Sequence, residues 1–228
     1  MARIVVRRLL YFAPLLAIVS VLTFSLTFMV PGDPAVTLAG ENPSDEQIDA
    51  IRERLNLDEP LLQQFGHWAN DALHGDLGDS LFLHLPVVDI IRQRLPVTLS
   101  LAIAAMVVAV LVGLTLGVMA AAMRGRLLDR AVTGFASLMV AIPPFWLGLM
   151  LVIFFALDRS WFPAVGYVGI TENPVLWLKH ITLPAVTLGL GPAAEISRQL
   201  RTALCDELDK EYLRTARAKG VRRAPALM

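Results

Sequence analysis

Three stretches of this chain, residues 9–32, 95–123 and 131–157, contain no Asp, Glu, Lys or Arg. Each exceeds the roughly 20 residues that an α-helix needs to cross a ~30 Å hydrocarbon core. Composition agrees, because 56% of the 228 residues are apolar and the mean hydropathy is +0.61, more than a soluble domain of this size can bury. A fourth stretch, 181–204, is apolar in its first half but carries Glu195, Arg198 and Arg201 in its second. The two arginines are expected to snorkel to the nearer interface. The expected fold class is all-α, a polytopic transmembrane helical bundle with four spans.

Arg3, Arg7 and Arg8 precede the first block, as basic residues do in a secretory signal. The block is longer than the apolar region of a signal, and Pro31-Gly32-Asp33-Pro34 is not a small-residue cleavage site, so a retained first helix is expected. With four crossings, one side receives Arg3, Arg7, Arg8, Arg124, Arg126, Arg130 and eight basic residues from Arg198 onward, fourteen in all. The other side receives six: Arg52, Arg54, Arg92, Arg94, Arg159 and Lys179. That bias puts the N-terminus in the cytoplasm. The formal net charge of +0 conceals the asymmetry, and no nucleic-acid partner is expected.

The region between the first two blocks, 33–94, is long enough to form a small cap. Ser44-Asp45-Glu46-Gln47 reads as a capping box, with Ile48, Ile51 and Leu55 on one face of the helix that follows. A second helix is expected from near Pro60, with Leu61, Leu62, Phe65, Trp68 and Leu73 as its apolar stripe. Gly75-Asp76-Leu77-Gly78-Asp79-Ser80 is a turn that ends it. An amphipathic helix from about Val87 leads into the second block. Twelve acidic residues against four basic ones make this region anionic. Two readings are open, a solvated lid on the spans or a lid that also receives an external protein.

Two features interrupt the spans. Pro143 and Pro144, in Ile142-Pro143-Pro144-Phe145-Trp146-Leu147-Gly148, remove two backbone donors and must break or kink the third span. Lipid tolerates this only where protein or water satisfies the freed carbonyls, which turns this helix toward the bundle interior. The prolines and Trp146 then serve as a structural kink or touch a translocated solute. Glu195 is a carboxylate inside an otherwise apolar span, at a cost of ~2.5–3.5 kcal/mol on insertion scales. Its spacing to Arg198 puts both on one helical face. It either forms an internal ion pair or lines a pathway.

Sites for chemistry are sparse. Cys205 is the single cysteine, so neither an internal disulfide nor a Cys-based metal site is expected. His67, His74, His84 and His180 are scattered without a third ligand at convincing spacing. No phosphate loop, dinucleotide fingerprint or nucleophile elbow occurs. A chain that moves solute uphill without these must draw its energy from another polypeptide or an ion gradient, and few ionisable relays lie in the spans.

Beyond the fourth block lies Glu211-Tyr212-Leu213-Arg214-Thr215-Ala216-Arg217-Ala218-Lys219-Gly220. A basic helix at a membrane exit suits either anionic lipid or a soluble protein; the acidic Asp206, Glu207, Asp209 and Glu211 just upstream weaken the lipid reading. The segment resembles the cytoplasmic coupling segment of ABC importer permeases of the dipeptide/oligopeptide branch, Arg214-Thr215-Ala216-x-x-x-Gly220 standing at the Glu-Ala-Ala-x-x-x-Gly signature. Pro31-Gly32-Asp33-Pro34 and Gly75-Asp76-Leu77-Gly78-x-Ser80, both turns by their residues, and the Pro-x-Phe-Trp-Leu-Gly pattern of the third span look like further marks of that family.

The resemblance implies an ABC importer type I permease fold in the bacterial inner membrane, with four spans present of an expected six. Residues 1–94 would be the first helix plus external cap, and 95–228 the permease core with a coupling segment at 206–224, two final helices being absent from these residues. Glu211, Tyr212, Arg214, Thr215, Ala216, Arg217, Lys219 and Gly220 would contact the ATPase, Gly220 ending the helix in a left-handed conformation. Pro143, Pro144, Trp146 and Glu195 would line the path, where Glu195 meets a peptide amino group. Gly75, Asp76, Gly78 and Ser80 would help receive an external substrate-binding protein. The implied partners are a second permease subunit in a heterodimer, two ABC ATPase subunits that carry ATP and Mg, the binding protein and membrane lipid; this chain would bind no cofactor and would not be an enzyme. Nickel-chelate or glutathione import, or a non-transporting membrane scaffold, are the alternatives.

Overall fold

The computed structural model describes residues 2–29, 32–39, 43–80, 83, 85–212, 215 and 219. Eight α-helices and one π-helical segment account for the regular structure among these, with no strand. The chain divides into two compact units, Met1–Gln93 and Arg94–Met228.

In the first unit, α1 (Ala2–Met29) is a long apolar helix with Pro14 inside it. Three shorter helices follow: α2 (Pro34–Ala39), α3 (Asp45–Arg54) and α4 (Leu61–Leu73). The capping box at Ser44 forms as the sequence predicts, with Gln47 N–H donating to Ser44 Oγ at 3.3 Å and Ser44 N–H to Gln47 Oε1 at 3.1 Å. The stripe on α4 is used only in part. Phe65 and Trp68 stack against Phe24 of α1, at 5.6 and 6.2 Å between ring centroids, whereas Leu62 and Leu73 stay exposed. One turn is shaped by a polar group instead: the buried Gln64 donates from Nε2 to the carbonyls of Leu57 and Glu59, at 3.3 and 2.7 Å, and ties the α3 to α4 connection to α4.

Asp33 begins a short helix where the sequence reading placed only a turn. Its Oδ1 accepts from Ala35 N–H at 2.9 Å and its Oδ2 from Arg52 of α3 at 2.5 Å. The Ala35 amide first, then the Arg52 guanidinium, holds the Asp33 carboxyl below the usual carboxylate range.

In the second unit, α5 (Val87–Ala122), which starts within the first, and α8 (Pro174–Leu208) run side by side and parallel. At 36 and 35 residues each is some ~50 Å long. Both present small residues to the seam: Ala109, Gly113 and Gly117 on α5, and Ala185, Gly189, Ala193 and Ser197 on α8, all buried. These recur every fourth residue, so each set forms a single ridge along its helix. The backbones come so close that a Cβ on Gly189 would sit 2.8 Å from the Ala105 carbonyl oxygen. One on Gly113 would sit 2.8 Å from Ile196 Cβ, and one on Gly117 3.0 Å from Leu200 Cβ.

Between these two helices the chain returns along α8 in the opposite direction. α6 (Leu127–Ala141) stops at Ile142, Pro143 caps the next helix, and α7 (Pro144–Leu151) leaves with a bend of 101°. The predicted break is thus present at the two prolines, for the predicted reason. The chain tightens no further but widens into a π-helical segment, Val152–Asp158. Contacts with α8 move steadily toward its N-terminus: Asp129 with Arg201, then Gly148 beside Thr187, then Gly166 beside His180. At the far end the Tyr167 hydroxyl lies 3.0 Å from Ser100 Oγ of α5. Asn173 caps α8, accepting from the amides of Val175 and Leu176 at 3.1 and 3.0 Å.

Adding a side chain to the seam is expected to destabilise the chain by about 1–3 kcal/mol. Gly113→Val and Gly189→Val should each lower the thermal unfolding midpoint in detergent, while Gly134→Ala, which faces open space, should not. Equal midpoints for all three would show that the seam is not close-packed.

Candidate functional site

The C-terminal end of α8 is fastened to its neighbours by charge. Asp129, in the first turn of α6, is only 4% exposed. A buried carboxylate needs a counter-ion and saturated lone pairs, and here three donors converge on it. Arg201 donates from Nε to Oδ1 at 2.5 Å and from Nη2 to Oδ2 at 2.7 Å, a two-nitrogen contact that suits the guanidinium fork. Gly125 N–H reaches Oδ2 at 2.9 Å. Gly125 sits at φ +78°, a left-handed conformation that glycine adopts without strain and that closes the connection between α5 and α6. On the same connection Arg124 Nη1 donates to Asp209 Oδ2 at 2.7 Å. Arg201 therefore does not snorkel as expected, because Asp129 offers a buried partner.

Past this fastening, Lys210 lies 2.6 Å from Glu207, and the Tyr212 hydroxyl donates to the same carboxylate. The Lys210 ammonium first, then Tyr212, holds the Glu207 carboxyl below its usual range, and Glu207 in turn pushes the Tyr212 hydroxyl up. Glu211, Tyr212, Thr215 and Lys219 are all exposed, and Lys219 N–H bonds to the Thr215 carbonyl at 3.1 Å. The expectations for Arg214, Ala216, Arg217 and Gly220 lie outside the described residues.

Glu195 pairs with Arg198 one turn on and accepts from Gln199 Nε2 at 3.0 Å. Its side chain is 48% exposed, so it points away from α5, α6 and α7. Arg198 and Gln199 continue into an open groove of about 410 Å³ with Thr202, Ala203 and Asp206. Pro143, Pro144 and Trp146 sit at the bend, all exposed. These residues do not meet Glu195 through any hydrogen bond.

In the first unit, Gly75 and Gly78 take φ +93° and +75°, and Asp76 Oδ1 accepts from Gly78 N–H at 2.9 Å. Ser80 N–H donates to Leu85 O at 2.8 Å and Val87 N–H to Gly78 O at 2.9 Å. The motif thus closes a compact loop at the start of α5, as turn chemistry requires. Gly75, Asp76 and Gly78 lie on its exposed side.

Long apolar helices, a parallel small-residue seam, a proline-broken return and charged groups confined largely to helix ends define a polytopic, all-α membrane protein. Residues 113–228 match the binding-protein-dependent transport system inner membrane component family, and residues 1–102 match the N-terminal component of such systems. The chain belongs to that family, the inner-membrane permeases of ABC importers. A Brucella abortus protein named for a peptide transport system permease is 40% identical over 221 residues, covering 97% of this chain and 70% of that protein. A Sinorhizobium fredii protein named as a probable peptide ABC transporter permease is 39% identical over 95% of this chain and 69% of its own length. The glutathione transport system permease GsiC of Escherichia coli K12 is 41% identical, over 97% and 70%. Proteins of this class are the permease subunits of their transporters and work with ATPase subunits and a substrate-binding protein.

Sequence reading passed over Asp129 and the seam glycines. Asp129 is the acidic residue in a run with Arg124, Arg126 and Arg130, and that lone opposite charge was the available signal. Gly113 and Gly117 stand four apart in an apolar helix, the spacing that lets membrane helices approach closely.

Cys205, 5% exposed and turned into the fastened end of α8, should resist maleimide in the folded chain and react fully after denaturation. A cysteine at the exposed Thr202, in a Cys205→Ser background, should label at once. Equal labelling rates at the two positions would show that this helix end is loose.

Proposed function

We propose that this chain is the membrane-spanning subunit of an importer for short peptides, carrying the translocation path and receiving the stroke of separate ATPase subunits through residues 206–224. The carrying observation is the basic segment that continues from α8 at the end where the turn with Arg124, Arg126 and Arg130 also lies. Those arginines and that segment belong on the cytoplasmic side by the distribution of positive charge, which puts the N-terminus there too.

Four crossings are part of this reading: α1, α5 and the bent pair α6 and α7 are long and apolar enough to span, and α8, charged in its second half, would be the fourth. The steady passage of α6, α7 and the π-helical segment along α8, from Arg201 to His180, supports one broken span rather than a loop that turns back. ATP and Mg would reside on two ATPase subunits, a second permease would complete the path, and residues 33–94 would face the external binding protein with Gly75, Asp76, Gly78 and Ser80 on the docking side. Pro143, Pro144 and Trp146 would border the path at the bend.

Peptide as substrate is supported by the names of the Brucella and Sinorhizobium relatives and by Glu195, whose exposed carboxylate suits a peptide ammonium. GsiC favours a second reading, glutathione, which is itself a tripeptide.

Two measurements test the proposal. A cysteine at Lys219, in a Cys205→Ser background, should be shielded from an impermeant thiol reagent in intact cells and label in inverted vesicles; labelling from outside would refute the orientation. In a reconstituted transporter, Glu195→Gln should reduce uptake of peptides with a free amino terminus more than that of N-acetylated ones. Unchanged uptake and preference would remove Glu195 from the path.

A further inference from the structure

We infer that Asp129 and Arg201 form the joint through which movement of the segment after Lys210 passes to α5, α6 and α8 as one body. The inference rests on reading that segment as the ATPase contact.

Helices in lipid gain little from apolar contact with one another, since the surrounding chains are as apolar as Leu. A helix end that carries a load must therefore be held by close packing or by polar contacts. α8 is held by both, at successive levels. Gly117 of α5 seats against Ser197 and Leu200. One residue further, Arg201 grips Asp129 of α6 through two nitrogens. Two turns beyond, Asp209 takes Arg124 from the connection between α5 and α6. All three precede Glu211, the first residue of the 206–224 segment expected to touch the ATPase.

Asp129 is the charged member of this set that is buried, at 4% exposure, and it has no other charged partner than Arg201 within salt-bridge distance among the described residues. Separating the pair would strand a buried carboxylate, so α6 and α8 travel together rather than slide. The Gly125 amide on the same carboxylate brings the end of α5 into the joint. Asp129 and Arg201 are thus positioning residues. They touch neither solute nor nucleotide, and they fix what the ATPase stroke moves.

The test uses the complete transporter reconstituted with its ATPases, partner permease and binding protein, measuring labelled peptide taken up per ATP hydrolysed. Cross-linking between a cysteine at Lys219 and the ATPase is followed in parallel. Asp129→Asn and Arg201→Gln should each lower uptake per ATP by roughly 5-fold or more, the lower range of coupling between distant sites, with the cross-link retained. The double variant should be no worse than the worse single, as expected for partners in one contact. Arg201→Lys, which keeps the charge but not the fork, should be intermediate, and it carries the test if Asp129→Asn does not assemble. A purely structural role would lower the amount of complex and leave the ratio unchanged. Unchanged uptake per ATP in assembled variants, with the cross-link present, overturns the joint alone. Failure of the cross-link in the chain with native Asp129 and Arg201 overturns the ATPase-contact reading, and the joint with it.

Discussion

The structure depends on how closely α5 and α8 approach. Water cannot drive two helices together inside lipid, so what holds them is van der Waals contact over a long seam, and that requires the backbones to come near. Gly113 and Gly189 permit it by leaving no room for a Cβ, and Gly117 leaves barely enough. Because the two helices run parallel, a full return of the chain must fit between the end of one and the start of the other. The proline-broken α6 and α7 make that return along α8.

The seam also fixes where charge can go. The buried ridge of α8 from Ala185 to Ser197 is built from Gly, Ala and Ser, and the helix's charged groups sort by face. Arg201 turns inward to the buried Asp129, though about a third of its own side chain stays exposed. Glu195 and Arg198 turn outward and remain accessible. One helix therefore carries a half-buried ion pair that fastens neighbours and an open pair on its exposed face, separated by less than two turns.

Much of this was legible in the sequence. The uncharged blocks gave the helices and their class, the capping box at Ser44 gave the start of α3, and the paired prolines gave the bend at residue 143. Each is a local rule that needs no distant partner. The parts that escaped notice depend on groups far apart in the chain. Arg201 looked like an interfacial cation because its partner, Asp129, is 72 residues away. Leu62 and Leu73 looked like core because periodicity reports that a face is apolar, not what covers it. Asp33 looked like part of a turn, since its role at α2 depends on Arg52 of another helix. Of the residues expected to contact an ATPase, Arg214, Ala216, Arg217 and Gly220 lie outside the described residues.

The central claim is that the end of α5, the start of α6 and the end of α8 form one rigid block around Asp129. Spin labels at two exposed positions, Leu127 at the start of α6 and Asp206 near the end of α8, report on it directly by pulsed dipolar spectroscopy in the assembled transporter. The account predicts one narrow distance distribution that is the same without nucleotide and with ATP bound. A distribution that broadens or shifts when ATP binds would contradict it.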